Sequence, residues 1–250
     1  MTRLNIGVLG IALAGCIASA AWAQEPPKGL TTHELRGRLG PYPVGVNVTL
    51  RDYVQFVVGH YFYARRPTDI PLTGQIQGAV VTFKEPGGGV FRLHLVSRDP
   101  TSRPPLTFYN STGLKGTWTQ GNKTLPVTLG FDSEYNGPSL TRWYSDVTDE
   151  PDAVFETRVR RFIRGAIDGD KAAVASTVSY PLRVNFARRP LTIRTKAQLL
   201  AHWDQIFTPR LLARLREAVP HEMFIHEEKV AIGGGEVWFD AKGAVAINVP

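Results

Sequence analysis

The sequence predicts an all-β domain followed by an α+β domain, on three observations. From residue 29 to residue 145, short apolar stretches alternate with polar residues and are separated by Gly- and Pro-rich turns. Turns about every 8–12 residues are typical of an antiparallel sandwich or a partly open barrel. From residue 153 to residue 250, apolar residues recur at helical spacing and then alternate again, which indicates an α+β domain. The acidic segment 146–152 between them is predicted to be a linker and a helix start.

In the first domain the predicted strands show a period of two. Pro41–Leu50 alternates Val or Leu with small or polar residues, and Tyr53–Tyr63 continues the pattern. Further strands are predicted at Ile70–Gly74, Ala79–Phe83, Val90–Val96, Gly116–Thr119 and Leu125–Leu129. Alternating aromatic residues are expected to face the inside of the sheet, the alternative being a platform for glycans or peptides. These residues are Tyr61, Tyr63, Trp118, Trp143 and Tyr144.

The second domain opens with an amphipathic helix, Ala153–Asp168, which Gly169 ends. A short helix, Asp170–Ser179, is predicted to stop before Pro181, because the residue before a proline avoids helical angles. The remaining predicted elements are a strand, two helices and three strands: Leu182–Phe186, Lys196–Phe207, Thr208–Val219, Met223–Ile232, Glu236–Asp240 and Ala244–Val249.

Composition excludes several classes of protein. The 250 residues are 43% hydrophobic and 20% charged, which is too apolar and too weakly charged for a disordered chain. No collagen or coiled-coil period is present, and no long apolar run follows the N-terminus, which argues against a polytopic membrane protein.

The N-terminal segment is predicted to be a bacterial export signal. Residues 1–23 carry one charge, Arg3, before an apolar run. Ala21 and Ala23 supply the small residues that a signal peptidase requires, so cleavage is expected before Gln24. The mature protein is then periplasmic or secreted, and it has no cysteine.

An alternative reading of the same segment is a lipoprotein signal. Leu13, Ala14 and Gly15 precede Cys16, the only cysteine, as in a lipobox. Lipidation of Cys16 would anchor the protein in a membrane. The apolar residues that follow Cys16 favour cleavage at Gln24 instead.

The second domain resembles the nuclear transport factor two-like superfamily. The segments that carry the resemblance are FIRGAIDGD (162–170), VSYPL (178–182), LAHWDQIF (200–207) and IGGGEVWF (232–239). The resemblance implies a cone fold, in which a bent sheet wraps helices around a pocket, and homodimers that pair through the open sheet face. The first domain, through GHYFY (59–63) and IPLTG (70–74), resembles β-rich exported bacterial domains. Neither resemblance assigns a catalytic residue.

Four residues are candidates for lining the implied pocket: Tyr180, Arg183, His202 and Asp204. A carboxylate in an apolar pocket has a raised pKa and can act as a base, which makes Asp204 the central candidate. The alternative is that Asp204 lies on a helix surface.

No metal or cofactor site is predicted. His221 and His226 are five residues apart, whereas two zinc ligands on a helix need a spacing of four. Motifs for a P-loop, a dinucleotide site or a serine nucleophile are absent from the sequence.

The basic residues predict an acidic partner other than nucleic acid. The net charge is +7, and 21 of the 29 basic residues are Arg, whose guanidinium binds carboxylates and phosphates bidentately. Arg158, Arg161, Arg188 and Arg189 are the candidate contacts; the alternative is a solvated helix face.

The function predicted from the sequence is therefore an exported, non-catalytic binding or accessory protein of the cell envelope. One alternative is a small-molecule enzyme with its pocket in the second domain. The other alternative is an interaction module for acidic envelope partners.

Overall fold

The computed structural model describes residues 28–97, 105–137 and 142–250. Ala21, Ala23, Gln24 and Cys16, on which the export predictions rest, lie outside these residues. The described chain forms an all-β part followed by an α+β part, as predicted. No helix in the described ranges has both the length and the apolar character that a membrane span requires.

The first part is a closed antiparallel barrel of eight strands. The strands are β1 Leu30–Leu39, β2 Tyr42–Arg51, β3 Gln55–Tyr63, β4 Arg66–Gln77, β5 Val80–Lys84, β6 Val90–Ser97, β7 Ser111–Gln120 and β8 Lys123–Asn136. Each strand pairs with the next, and β1 also pairs with β8, with Leu39 opposite Val127. The prediction of a sandwich or a partly open barrel is therefore corrected to a closed barrel.

The barrel interior is filled by side chains. Eight strands leave a space just wide enough for side chains to pack, and apolar residues from every strand form one buried cluster. Tyr61 and Trp118 belong to this cluster, as the alternation predicted. Their polar atoms share one acceptor, because Tyr61 Oη and Trp118 Nε1 both donate to the Glu85 carboxylate.

The second part packs five helices on one six-stranded sheet. The helices are α1 Asp152–Asp168, α2 Lys171–Ala175, α3 Lys196–Ala201, α4 Trp203–Ile206 and α5 Pro209–Glu217. The strands are β9 Val178–Asn185, β10 Pro190–Ile193, β11 Phe224–His226, β12 Lys229–Ile232, β13 Val237–Phe239 and β14 Ala244–Asn248. The sheet order is β10-β9-β14-β13-β12-β11, and only the β9–β14 pair is parallel.

Helix α1 supplies the centre of the second core. Phe155, Val159 and Phe162 are all fully buried, because they lie on the apolar stripe that faces the sheet. Trp143 and Tyr144 also pack into this core. Both residues are therefore buried as predicted, but in the core of the second part and not inside the barrel sheet.

Two predicted helices differ from the observed ones. The predicted helix Lys196–Phe207 is divided at His202, whose backbone leaves the helical range, into α3 and α4. The predicted helix Asp170–Ser179 ends at Ala175, because β9 begins at Val178 and pairs with β14. The sheet pairing thus overrides the local helical pattern.

Candidate functional sites

Two polar features of the structure are candidates for function. The first is a set of Arg side chains on α1 and α5, called here the arginine face. The second is a His and carboxylate cluster between the barrel and the α+β part, called here the seam. Both are distinct from the pocket that the sequence suggested.

Asp204, the central residue of the predicted pocket, is exposed on α4. His202 is partly buried, and its Nδ1 lies 3.2 Å from Oε1 of Gln205 on the next turn. Trp203 between them is buried in the core. The position of Asp204 matches the alternative reading, a surface acid on a helix.

Tyr180 and Arg183, the other two pocket candidates, lie on β9. Burial raises the pKa of Tyr180, and its hydroxyl has no partner within the described residues. Arg183 is exposed, and its Nε donates to Oδ1 of Asn185 at 2.7 Å. In the part of the chain that the structure describes, no hydrogen bond joins any two of the four candidates.

The predicted acidic-partner residues have different surroundings. Arg158 forms an ion pair within the protein. Its Nη2 lies 2.7 and 2.6 Å from the two Glu150 carboxylate oxygens, and its Nη1 donates to the Ala241 carbonyl. Arg161 is exposed on α1. Arg188 and Arg189 are exposed in the turn between β9 and β10. Arg158 is therefore unavailable to a partner, whereas the other three are accessible.

The arginine face consists of Arg160, Arg161, Arg164 and Arg216. Helical spacing brings the three α1 members of this face together, because residues three and four apart on α1 lie on one side. A cavity of about 390 Å³ between α1 and α2 is lined by Arg160, Arg161 and Arg164. A second, of about 360 Å³ between α1 and α5, is lined by Arg160, Arg164 and Arg216. Arg160 and Arg164 thus line both cavities.

Three of these guanidinium groups have no partner among the described residues. Arg160 is held by Glu156, 3.1 Å from its Nη1. Arg161, Arg164 and Arg216 are exposed, and no ion pair or hydrogen bond within the described ranges engages them. Asp168 lines both cavities as well, and Asp170 lines the first. Asp170 is engaged as the N-cap of α2. The face therefore offers planar, cationic donors to an anionic group.

At the seam, the loop between α5 and β11 meets strands β3 and β4. His221 Nε2 donates to Asp69 at 2.9 Å, and His221 Nδ1 donates to Glu156 at 2.8 Å. Burial alone would lower the pKa of His221, but the hydrogen bonds to both carboxylates outweigh it and raise the pKa to about 9. His221 is thus a cation that links the barrel to α1.

His60 lies beside His221 and contacts Glu222. Its Nε2 is hydrogen-bonded to Glu222 Oε1 and lies 3.7 Å from Asp69 Oδ1. Burial would lower the pKa of His60, but Glu222 outweighs burial and raises it. Burial would also raise the pKa of Asp69, but the hydrogen bond from His221 lowers it.

Three further contacts fix the loop that carries Glu222. Arg36 Nη2 donates to the Glu222 carbonyl at 2.8 Å. Trp143 Nε1 donates to the Met223 carbonyl at 2.9 Å, and the Met223 amide donates to Tyr144 Oη at 3.2 Å. The loop is therefore held from the barrel on one side and from the α+β core on the other.

The seam was missed by the sequence interpretation. Of the seam residues, His221 and Glu222 lie in the segment His221–His226, whose histidine spacing argues against a zinc site on a helix. His60 and Asp69 come from the other end of the chain, 162 and 153 residues before Glu222, so no local pattern connects them. Comparisons of this chain with protein-family models, with curated proteins and with solved structures find no match.

Proposed function

We propose that this chain is an exported protein of the cell envelope that binds an anionic partner through the arginine face and does not transform it. The observation that carries the proposal is the group of Arg161, Arg164 and Arg216, which together line two adjoining cavities and have no partner within the described part of the chain. Exposed guanidinium groups that have no partner among the described residues can form bidentate hydrogen bonds with carboxylates or phosphates without first breaking an internal ion pair.

The packing of the α+β part supports binding at the surface over catalysis inside it. We infer that this part has the cone fold, which a six-stranded sheet with α1 packed across it fits. In the core of this part, the Phe162 ring centroid lies 6.1 Å from that of Phe207 and 5.3 Å from that of Phe239. These buried rings take up space in the core, which favours the surface cavities beside the arginine face as the place for a ligand.

The partner that fits this face is an acidic protein segment. Each cavity can take a few carboxylates, and the two share Arg160 and Arg164, so an extended chain with acids at intervals would engage both. Asp168, which also lines both cavities, would repel a dense uniform polyanion and favour spaced charges.

Replacing Arg161 and Arg164 together by alanine is expected to weaken binding of a peptide whose glutamates are separated by serines by roughly tenfold or more, since each charged hydrogen bond contributes about 1.5 kcal/mol or more. Fluorescence anisotropy with a labelled peptide measures the affinity. The affinity of the native chain for the peptide should also fall as salt is raised, because salt screens attraction between exposed charges. The Debye length is about 10 Å at 0.1 M ionic strength.

The matched control is the double variant Arg188→Ala/Arg189→Ala, which removes the same charge from the exposed turn between β9 and β10. It should bind as the native chain does. Equal losses in both double variants would show only an effect of net charge, and no loss in the first would contradict the assignment of the face. Preference for anionic phospholipid vesicles over the peptide would replace the acidic protein by a lipid surface.

The proposed export of the protein predicts where the mature chain begins. We expect intact mass measurement on protein recovered from a bacterial host to show a chain that begins at Gln24, since Ala21 and Ala23 precede it as small residues. A chain that begins at a diacylated Cys16 would instead establish the lipoprotein alternative, and an uncleaved chain would contradict export.

A further inference from the structure

Three potential metal ligands converge at the seam from separate parts of the chain. One ligand atom each from His60 on β3, Asp69 on β4 and Glu222 in the loop before β11 lie within 4.8 Å of one another. A nitrogen and two carboxylate oxygens are donors that bind Zn²⁺ and Mn²⁺. An ion about 2.0–2.2 Å from each atom would hold the ligand atoms about 3.4 Å apart. His60 Nε2 and Asp69 Oδ1, at 3.7 Å, would move slightly closer together, whereas His60 Nε2 and Glu222 Oε1, now hydrogen-bonded, would move apart.

The position of His60 between two carboxylates allows an ion to take the place of the proton on its Nε2. Its Nε2 carries at most one hydrogen, yet it faces oxygen atoms of both Glu222 and Asp69. One N–H directed at Glu222 leaves Asp69 at 3.7 Å without a good hydrogen bond from this ring. A cation coordinated by the nitrogen interacts with both oxygens at once.

The charges around the three residues also favour a cation. Glu222 and Glu156 are both buried, with only 5% and 6% of their surface exposed. The neighbouring carboxylates are Glu34, Asp69, Asp132, Glu156 and Glu222, and the permanent cations are Arg36 and Arg160. Carboxylates outnumber guanidinium groups among these neighbours, and this excess of negative charge attracts a divalent cation.

The surroundings of the three residues suit a reversible metal site. Asp69 is oriented by the hydrogen bond from His221 at 2.9 Å, and Glu222 is fixed by the contact of Arg36 with its carbonyl. Such outer contacts commonly hold metal ligands in place. About half of the Asp69 side chain is exposed, so an ion can enter from solvent and keep water ligands.

We propose that His60, Asp69 and Glu222 bind one divalent first-row metal ion, Zn²⁺ or Mn²⁺, and that this ion bridges the barrel and the α+β part. The ion would join β3 and β4 to the loop before β11. It is independent of the arginine face, so failure of either proposal leaves the other unaffected.

The test is calorimetric titration of the whole mature chain, freed of metal by chelation and dialysis, with zinc chloride and separately with manganese chloride. We expect saturable binding of one ion per chain and a higher melting temperature in its presence. Asp69→Asn should weaken binding by about tenfold or more, because the amide lacks the charge and one acceptor oxygen. The control is Asp204→Asn, an exposed carboxylate on α4 outside the three ligands and their charged neighbours, which should bind as the native chain does.

His60→Asn provides a second variant and should also weaken binding by tenfold or more. Circular dichroism establishes that each variant is folded. Absence of saturable binding of either ion to the native chain overturns the proposal without reference to any variant. Binding that Asp69→Asn and His60→Asn both retain places the ion elsewhere and overturns it as well.

Discussion

Gly37→Ala is expected to lower the free energy of unfolding by about 3 kcal/mol or more, since forcing atoms into a packed region costs that much when the backbone has to move. A Cβ atom at Gly37 would lie 2.0 Å from the Thr128 carbonyl oxygen and 2.8 Å from Leu129 Cα. Both contacts are with backbone, which cannot rotate away as a side chain can. Urea unfolding followed by circular dichroism measures the loss.

The reason for so large an effect is the place of Gly37 in the fold. It lies on β1 opposite Leu129 of β8, in the pairing that closes the barrel. Displacing β1 from β8 would open two strand edges and interrupt the hydrogen bonds between them. Glycine within a strand commonly marks such a close approach of another backbone.

Gly130→Ala is the matched control, since Gly130 lies on β8 one residue beyond Leu129 in the same strand pair. Among the described residues, a Cβ atom there would meet only the Arg36 carbonyl oxygen, at 3.9 Å, which is an ordinary contact. It should change the free energy of unfolding by well under 1 kcal/mol. If the two variants were equally stable, the close approach at Gly37 would have no energetic consequence.

The second large effect is a loss of folding stability at acidic pH that is caused by His33. Between pH 6.5 and pH 4, His33 is expected to remove roughly 3 kcal/mol of stability, since each pH unit of pKa difference is worth about 1.4 kcal/mol. Burial lowers the pKa of His33 from 6.5 to about 4. The unfolded chain therefore binds a proton through this range and the folded chain does not, so stability falls as the pH falls.

The environment of His33 explains the direction of the shift. The side chain is 1% exposed and lies among Tyr53, Phe108 and Phe131, with ring centroids 5.3, 5.2 and 5.6 Å away. Glu134 lies 3.3 Å from Nδ1, but it is 52% exposed. Solvent screens its attraction, so the removal of water from the imidazolium dominates.

His33→Phe tests this prediction, because a phenyl ring suits the aromatic surroundings and carries no proton. The difference in unfolding free energy between the native chain and this variant, measured in urea at pH 7 and at pH 4, should shift by roughly 3 kcal/mol in favour of the variant at low pH. His94→Gln, at an exposed histidine on β6, should give a curve parallel to the native one. Parallel curves for His33→Phe would contradict the prediction.

Much of the fold could be predicted from the sequence, where local patterns carry the information. The alternation in Pro41–Leu50 corresponds to β2 at Tyr42–Arg51, and the helical stripe at Ala153–Asp168 corresponds to α1 at Asp152–Asp168. Closure of the barrel could not be predicted, because it depends on β1 meeting β8 about 100 residues later. Pairing over such distances leaves no period in the sequence.

The candidate sites also differ in how far local sequence patterns predict them. The density of basic residues predicts Arg161 as a contact, and the helical geometry of α1 places it with Arg164 in the lining of the cavity between α1 and α2. Arg158 looked equivalent in the sequence, but Glu150 pairs with it. Asp204 and its neighbours were chosen for proximity along the chain, whereas the seam joins residues that only the assembled halves bring together.

Phe62 shows that the barrel is not self-sufficient. Its side chain is fully buried, yet it lies outside the barrel core and is covered by His221, whose ring centroid is 4.4 Å away, and by the Arg36 guanidinium. A fragment that ended before residue 142 would present this ring to water. The isolated barrel would therefore have an exposed apolar surface, prone to aggregation, that is buried in the intact chain.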